Sequence, residues 1–443
     1  MQNFETELSF EEVIGFFERN YLKNRTIVSR DVESILDDVA KTTNLEMTKH
    51  RFKTGEVFST WEVPPSWNVK QAWLKDKKGK LIGSYEMHPL FVSPFSCAVD
   101  QEITFKELEG HIFSEPNQPD AFAYNWRYAM DYRLRLKEWG ISLPLNVVNE
   151  LRERGEDEEY EILIDIDVED GELLIGDITL KGESEKTICF LSDHCHPGQV
   201  NDSFTGIGLF MMVMATLAKM PNRKYTYKFL IMPETVGSAI YITKFYDELK
   251  KNFIGTMFSE MVGWGENWYI KKTREANTYM DEIADALAKK WDGLNPTEFF
   301  SVYGNDELMF NNVGTNIPSL SLQKHPFIEY HTSNDTPDRV QESDMQRAFD
   351  ITMDMVNIIE NVAIYKFNQP VPFWMTRFDL FADDQWQTED FLKNFDIVYK
   401  NLDGDKSLVE VANKSNCSFD YIYQYVQKMK EYNLITRLSS VHD

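Results

Sequence analysis

The chain has 443 residues, 42% of them hydrophobic and 14% aromatic, which is material for two or three buried cores rather than one. A formal charge of −26 argues against non-specific nucleic-acid binding and against anchoring on anionic lipid. The four cysteines (Cys97, Cys189, Cys195 and Cys417) form no CxxC pair and no regular framework, which points to a reduced, cytoplasmic protein.

The acidic start, Met1 to Glu12, lacks a basic segment followed by an apolar run, so no signal peptide is expected. Helical spacing of apolar residues without internal proline predicts helix from about Phe10 to Thr43. From about Gly55 to Phe105, short runs such as Ala72-Trp73-Leu74 and Leu90-Phe91-Val92 alternate with turn signals, predicting a β-rich segment. Glu115 to Pro119 and then Tyr124 to Tyr132 form a proline-bounded aromatic stretch. Tyr160 to Ile166 alternates, Glu169-Asp170-Gly171 turns, and Glu172 to Gly176 follows, which reads as a hairpin. Apolar strands are then expected at Lys186–Ser192, Tyr227–Met232, Thr256–Ser259 and Ser319–Leu322, separated by helical patterns. This predicts an α/β unit with a largely parallel sheet between helical layers. Its longest apolar run, Ile207 to Ala218, is too short to span a bilayer and is expected as buried helix. After about Trp386, short helical patterns and a terminal apolar strand suggest a winged helix. Trp374 and Trp386, near its linker, are expected to be packing residues.

The residues with chemistry follow the ends of those four strands, where open α/β sheets bind their ligands. Leu191 leads into Asp193-His194-Cys195-His196, with Asn201-Asp202 beyond. Met232 leads into Pro233-Glu234, Ser259 into Glu260, and Leu322 into a loop carrying Tyr330-His331-Thr332 and Asp335. Imidazole and carboxylate together are the ligand set of hydrolytic zinc, which polarises a carbonyl and acidifies bound water. Three of the eight histidines lie in two of these loops.

Five segments in this order carry a resemblance: Cys195-His196-Pro197 with Asn201-Asp202 and Gly206; Pro233-Glu234-Thr235-Val236-Gly237-Ser238; Ser259-Glu260-Met261-Val262-Gly263; Asn305-Asp306-Glu307; and Tyr330-His331-Thr332 with Asp335. Together with Trp61-Glu62-Val63-Pro64-Pro65-Ser66-Trp67 they resemble the co-catalytic zinc aminopeptidase superfamily. The closer likeness is to a bacterial aminopeptidase-like family with a nested insert and a C-terminal winged helix. The resemblance implies a discontinuous three-layer α/β domain of zinc-exopeptidase type (1–56 and 151–367), a β-rich insert (57–150) and a winged helix (385–443). It implies Asp202 as the carboxylate bridging two metals, His196 and Glu260 as ligands of one, and His331 as the histidine of the other. His194 rivals His196 for the first position.

Two departures stand out. The superfamily places an aspartate two residues after its first histidine to orient the ring; here that residue is Gly198, which leaves Asp193 or Asp335 to serve. The superfamily also uses two adjacent glutamates, a base and then a ligand, whereas Glu234 here precedes Thr235. Glu234 is therefore the expected base, or a ligand if the alignment shifts by one, and one or two zinc ions remain open. Asp306, Glu307 and Tyr330 are candidates for substrate binding. Cys195 as a nucleophile is disfavoured, because sequence neighbours on a loop rarely meet the required geometry.

The expected function is zinc-dependent hydrolysis of an amide in a small peptide or aminoacyl compound. A non-peptide amide of a biosynthetic pathway, or a binding protein that kept the fold and lost the chemistry, remain as alternatives. Aromatics rather than arginines on the presumed recognition helix, Phe419 to Lys430, favour an oligomerising or substrate-gating role over nucleic-acid binding, with a homo-oligomer expected. The insert is expected to shape the pocket rim or recognise a partner.

Overall fold

The computed structural model describes residues 4–125, 135–302, 304–378, 380, 396–415 and 417–439. In chain order its main elements begin with α1 (Phe10–Asn20), α2 (Val32–Thr43), β1 (Thr48–Lys53), β2 (Ser66–Asp76), β3 (Leu81–Ser84), β4 (Val99–Thr104), β5 (Glu159–Glu169) and β6 (Glu172–Leu180). Next come β7 (Thr187–Asp193), α3 (Phe204–Lys219), β8 (Thr226–Met232), α4 (Val236–Lys244), β9 (Phe253–Ser259), β10 (Asn267–Lys271) and α5 (Tyr279–Lys290). The last are β11 (Leu294–Thr297), α6 (Glu307–Phe310), β12 (Ser319–His325), α7 (Glu342–Asn361), β13 (Ile364–Phe367), β14 (Asp403–Ser407), α8 (Leu408–Lys414), α9 (Phe419–Glu431) and β15 (Ile435–Ser439).

The central sheet has the order β1-β6-β8-β7-β9-β12-β10-β11. The four expected strands form its parallel middle, β8-β7-β9-β12, flanked by antiparallel neighbours. Strand alternation sends Ile188 and Phe190 of β7 into one core and Cys189 and Leu191 into the other. The first core is closed by α1, α2, α3, α5 and α7; the second lies under α4 and the β-rich layer. Helix α3 is buried from Phe204 to Leu217, on every face, because it is wedged between the sheet and three other helices. Among the described residues no helix is long and apolar enough to cross a membrane.

Several expectations change. The helical run from Phe10 to Thr43 is two helices. α1 starts at a Ser9/Glu12 capping box, and between α1 and α2 the side chains of Asn24 and Arg25 turn inward to polar partners. The expected hairpin is two strands in different sheets: β5 pairs with β2 and β4, while β6 pairs with β1 and β8. Burial explains this. β5 buries alternate residues only, as suits a sheet wet on one face, whereas β6 is buried from Leu173 through Ile178. Gly171 at the switch packs so closely that a Cβ would meet Ser66 Cβ at 2.8 Å. Strand β5 therefore pairs with the β-rich layer although it follows the expected boundary at 150. Leu90 to Val92 is no strand. Pro89 opens a 3-10 turn, and His88 Nδ1 accepts the Leu90 N–H at 3.2 Å.

At the C-terminal end β13, β14 and β15 form an antiparallel sheet with α8 and α9 against it. Lys289 of α5 donates to the carbonyls of Ala412, Asn413 and Ser415, fixing the end of α8 to the α/β unit. Trp374 is 73% exposed, contrary to the packing role expected of it, and Trp386 and the stretch 126–134 lie outside the described residues. All four cysteines are unpaired.

Gly206 sets the approach of α3 to the sheet. A Cβ there would lie 1.8 Å from the backbone oxygen of Ser259, at the end of β9. Backbone cannot swing aside as a flexible side chain can, so Gly206→Ala is expected to destabilise the protein by about 3 kcal/mol or more. Urea unfolding is the check, with an unchanged midpoint refuting the close approach.

Candidate metal centre

The carboxyl ends of the parallel strands deliver the site. The loop after β7 carries His194, His196 and Asp202, Glu234 follows β8, Glu260 follows β9, and the loop after β12 brings His331. The backbone is unusual at all four places. His196 (φ 72°), Thr235 (φ 56°), Met261 (φ 53°) and His331 (φ 59°) are left-handed although none is glycine. Thr235 is the most strained, because Val236 N–H reaches back to Glu234 O at 2.6 Å in a tight γ-turn of the rare positive-φ kind. Such clusters of strain belong to functional sites held by their surroundings.

Buried partners do the holding. Arg25 is fully buried; its guanidinium donates to the carbonyls of His194 (2.8 Å), Cys195 (2.7 Å) and Gln199, with its flat face 3.7 Å over Phe204. Burial lowers its pKa to about 10, which leaves it charged at neutral pH. Asp335 accepts the N–H groups of Val200, Asn201 and Asp202 at 2.9, 2.6 and 3.1 Å. Asn201 ties this loop to the one after β9 by accepting Gly263 N–H at 2.9 Å and donating to Trp264 O at 3.0 Å.

Among the described residues one cluster could hold a metal ion: His196, Asp202 and His331, with ligand atoms all within 4.8 Å of one another. His331 Nε2 lies 3.0 Å from the buried Asp202 Oδ2, a close imidazole–carboxylate contact. Two imidazoles and a carboxylate whose ligand atoms come this close are a donor set that fits a zinc ion. Burial lowers the His196 pKa to about 4, so the ring is neutral and able to coordinate. For Asp202 burial pushes upward, but His196, His331 and Arg25 together bring it below its usual value.

His194 stays outside the cluster; it is fully buried, and among the described residues neither ring nitrogen has a hydrogen-bond partner. Glu260 is also outside it, and its two oxygens accept Asn305 Nδ2 and Gln323 Nε2, each at 3.0 Å. Glu234 stands at the edge, Oε2 3.7 Å from His196 Nε2. Burial first, then Asp193 and Asp202, raises the Glu234 pKa well above the carboxylate range. Glu260 is raised in the same way by burial, Asp202 and Asp193. Neither expected orienting acid touches the His196 ring: Asp193 accepts Cys195 N–H at 3.1 Å and the Ser203 hydroxyl, and Asp335 serves backbone. Among the described residues, the buried His196 Nδ1 has no hydrogen-bond partner.

Asp306 and Glu307, candidates for substrate contact, are instead sealed below the site. Asp306 takes the Ser238 hydroxyl and Thr235 N–H (2.9 Å), bracing the strained turn after Glu234, while Glu307 pairs with buried Lys271. Tyr330 stacks on His331 at 3.8 Å. The Cys195 thiol accepts Glu234 N–H at 3.1 Å, and burial with Asp193 and Glu234 nearby raises its pKa, the opposite of nucleophile activation. Arg25 escaped sequence reasoning because it sits 169 residues from the loop it supports.

A largely parallel sheet with this cluster at its strand ends makes the chain an aminopeptidase-like α/β protein. It belongs to the family described as a domain of unknown function, DUF4910, whose model matches residues 15–362. A curated relative from Clostridium acetobutylicum, named as a candidate polysaccharide biosynthesis protein with an aminopeptidase-like domain, is 27% identical over 92% of both chains. A crystal structure from the same organism, described as a candidate peptidase, superposes with TM-score 0.84 at 26% identity, covering 97% of this chain and 96% of that one. A zinc aminopeptidase from Bacillus subtilis shares the fold at TM-score 0.53 and 13% identity, covering 80% and 95%. A peptidase M28 precursor from Shewanella amazonensis shares it at 0.57 and 12%, covering 83% and 95%.

Two outcomes follow. Arg25→Met leaves three carbonyls without their donor and is expected to cost about 3–5 kcal/mol of stability; Arg25→Lys, a single ammonium in place of a planar fork, should recover only part of it. Equal midpoints for wild type and Arg25→Met in denaturant unfolding would refute the brace. His88 is half-buried and neutral, its pKa lowered to about 4 by desolvation, while the unfolded chain takes the proton near 6.5. Stability is therefore full above pH 6.5 and falls as pH drops toward 4, by about 3 kcal/mol from this group. His88→Asn, which keeps an acceptor for Leu90 N–H, should flatten that segment of the stability–pH curve.

Proposed function

We propose that this protein is a metal-dependent amide hydrolase of aminopeptidase type, acting on a small peptide or aminoacyl compound, with zinc as the metal. The observation that carries it is the convergence of His196, Asp202 and His331, with ligand atoms within 4.8 Å of one another, among buried carboxylates. These three residues would hold the ion, and Glu260, hydrogen-bonded on both oxygens, would add its charge from beside them. Zinc supplies Lewis acidity, polarising an amide carbonyl and lowering the pKa of water.

Glu234 is the general base and acid. It stays outside the three-ligand cluster, which supports a base over a ligand, and its raised pKa suits a group that takes a proton and returns it. The γ-turn at Thr235, braced by Asp306, and the Cys195 thiol on the Glu234 N–H fix where that carboxylate stands. Asp193 and Asn305 keep the supporting acids in place, with Asn305 Nδ2 at 3.4 Å from Asp193 and 3.0 Å from Glu260. We read the C-terminal unit (β13 to β15 with α8 and α9) as a winged helix that serves oligomerisation or gating. Its firm attachment to α5 through Lys289 supports a fixed module rather than a tethered one.

Metal analysis and kinetics test this. The purified protein should hold zinc in stoichiometric amount, and Glu234→Gln should retain that zinc while losing roughly 10²–10⁴-fold in turnover of aminoacyl amides. Absence of zinc sinks the hydrolase; loss of zinc from Glu234→Gln would make Glu234 a ligand. Faster turnover of N-acyl sugars than of aminoacyl amides would move the substrate class to the non-peptide amide.

A further inference from the structure

The β-rich layer does more than stand beside the centre. Its segment Phe122 to Tyr124 runs antiparallel to His331 to Ser333, with Ala123 bridging Thr332. Tyr124 N–H donates to His331 O at 2.7 Å, Ser333 N–H donates to Phe122 O at 2.9 Å, and Phe122 N–H donates to Ser333 Oγ at 3.0 Å. The segment is itself fixed, because Ala123 N–H donates to Ser142 Oγ at 2.6 Å. The left-handed turn at His331 is thus clamped by hydrogen bonds from a segment about two hundred residues away in sequence.

This clamp places the Tyr124 ring 4.4 Å from the His196 imidazole and 5.1 Å from that of His331, centroid to centroid. His196 needs such a neighbour. Among the described residues its Nδ1 has no hydrogen-bond partner, and Gly198, where a Cβ would lie 2.4 Å from His88 Cε1, supplies none. With no hydrogen bond to set its ring, packing must.

We propose that Tyr124 is a positioning residue of the metal centre: its ring, carried in by the β-rich layer, holds the His196 and His331 imidazoles in register in place of an orienting carboxylate. The proposal rests on the metal-centre reading above and acts through the two histidines, not on substrate.

The test compares Tyr124→Ala and Tyr124→Phe with wild type, after far-UV circular dichroism confirms that each is folded. Zinc affinity is measured by competition with a chromophoric chelator, and cobalt(II) replaces zinc for a visible spectrum. Tyr124→Ala should weaken zinc binding by roughly 10–100-fold, the loss typical when support of a metal histidine is removed, and should alter the cobalt spectrum. Tyr124→Phe, which keeps the ring, should restore both. A readout without metal separates this idea from the function itself. The chain has eight histidines, so imidazole resonances of the metal-free protein can be followed individually; in Tyr124→Ala those of His196 and His331 should shift and broaden. A wild type that takes up no zinc sinks the hydrolase and leaves the resonances to decide the role of Tyr124. Unchanged resonances and zinc affinity in Tyr124→Ala overturn the proposal, as does a Tyr124→Phe protein as weak as Tyr124→Ala. Should Tyr124→Ala fail to fold, Tyr124→Leu, apolar but without a planar ring, is judged by the same readouts.

Discussion

Excess negative charge in a place that water hardly reaches is the constraint on which this structure turns. Asp193, Asp202, Glu260, Asp306 and Glu307 are buried at the strand ends, and Glu234 is nearly so. Buried cations near them are Arg25, spread over three carbonyls, and Lys271, taken by Glu307. An unpaired buried ion costs several kcal/mol, so such a set persists only if protons or a cation neutralise it. The raised pKa values of Asp193, Glu234 and Glu260 express the proton solution; the close convergence of His196, Asp202 and His331, with His196 neutral, suits the cation solution.

The fold tolerates that charge because the sheet and its loops are over-determined. Main-chain N–H groups are aimed at the acids: three on Asp335, one each on Asp193 and Asp306. These bonds also hold the left-handed residues, so electrostatics and backbone strain are met by the same contacts. The tight fit of α3 at Gly206 belongs to this logic, since its N-terminal turn packs on the Ser259 carbonyl immediately before Glu260. A loosened helix would release both the loop carrying Asp202 and the strand end carrying Glu260.

How legible was this in the chain? The parallel middle of the sheet was legible, because strands buried on both faces read as continuous apolar runs, and every proposed ligand followed one of them. That His196, Asp202 and His331 all follow strand ends was readable in the chain, whereas their grouping as ligands came from the family resemblance. What escaped were features set by distant packing. Arg25 looked like one more charge in a helical stretch, and only its partners 169 to 174 residues on explain its burial. The split between β5 and β6 was hidden because a short acidic turn with glycine reads as a hairpin whether or not the strands pair. Asp306 and Glu307 read as candidates for substrate binding, and their bonds to Thr235 and Lys271 depend on a fold-level meeting that spacing does not encode.

The β-rich layer marks the deepest gap between chain order and structure. Sequence suggests a separable insert at the rim, yet its strands enclose β5 from beyond the expected boundary, and its Phe122–Tyr124 segment hydrogen-bonds the His331 turn. His88 lies over Gly198, where a Cβ would come 2.4 Å from its Cε1. With glycine at 198, the first histidine must be oriented by some means other than an acid at that position. Aromatic packing suits the task, since a ring adds contact and rigidity without adding another negative charge to a region already overfull of them.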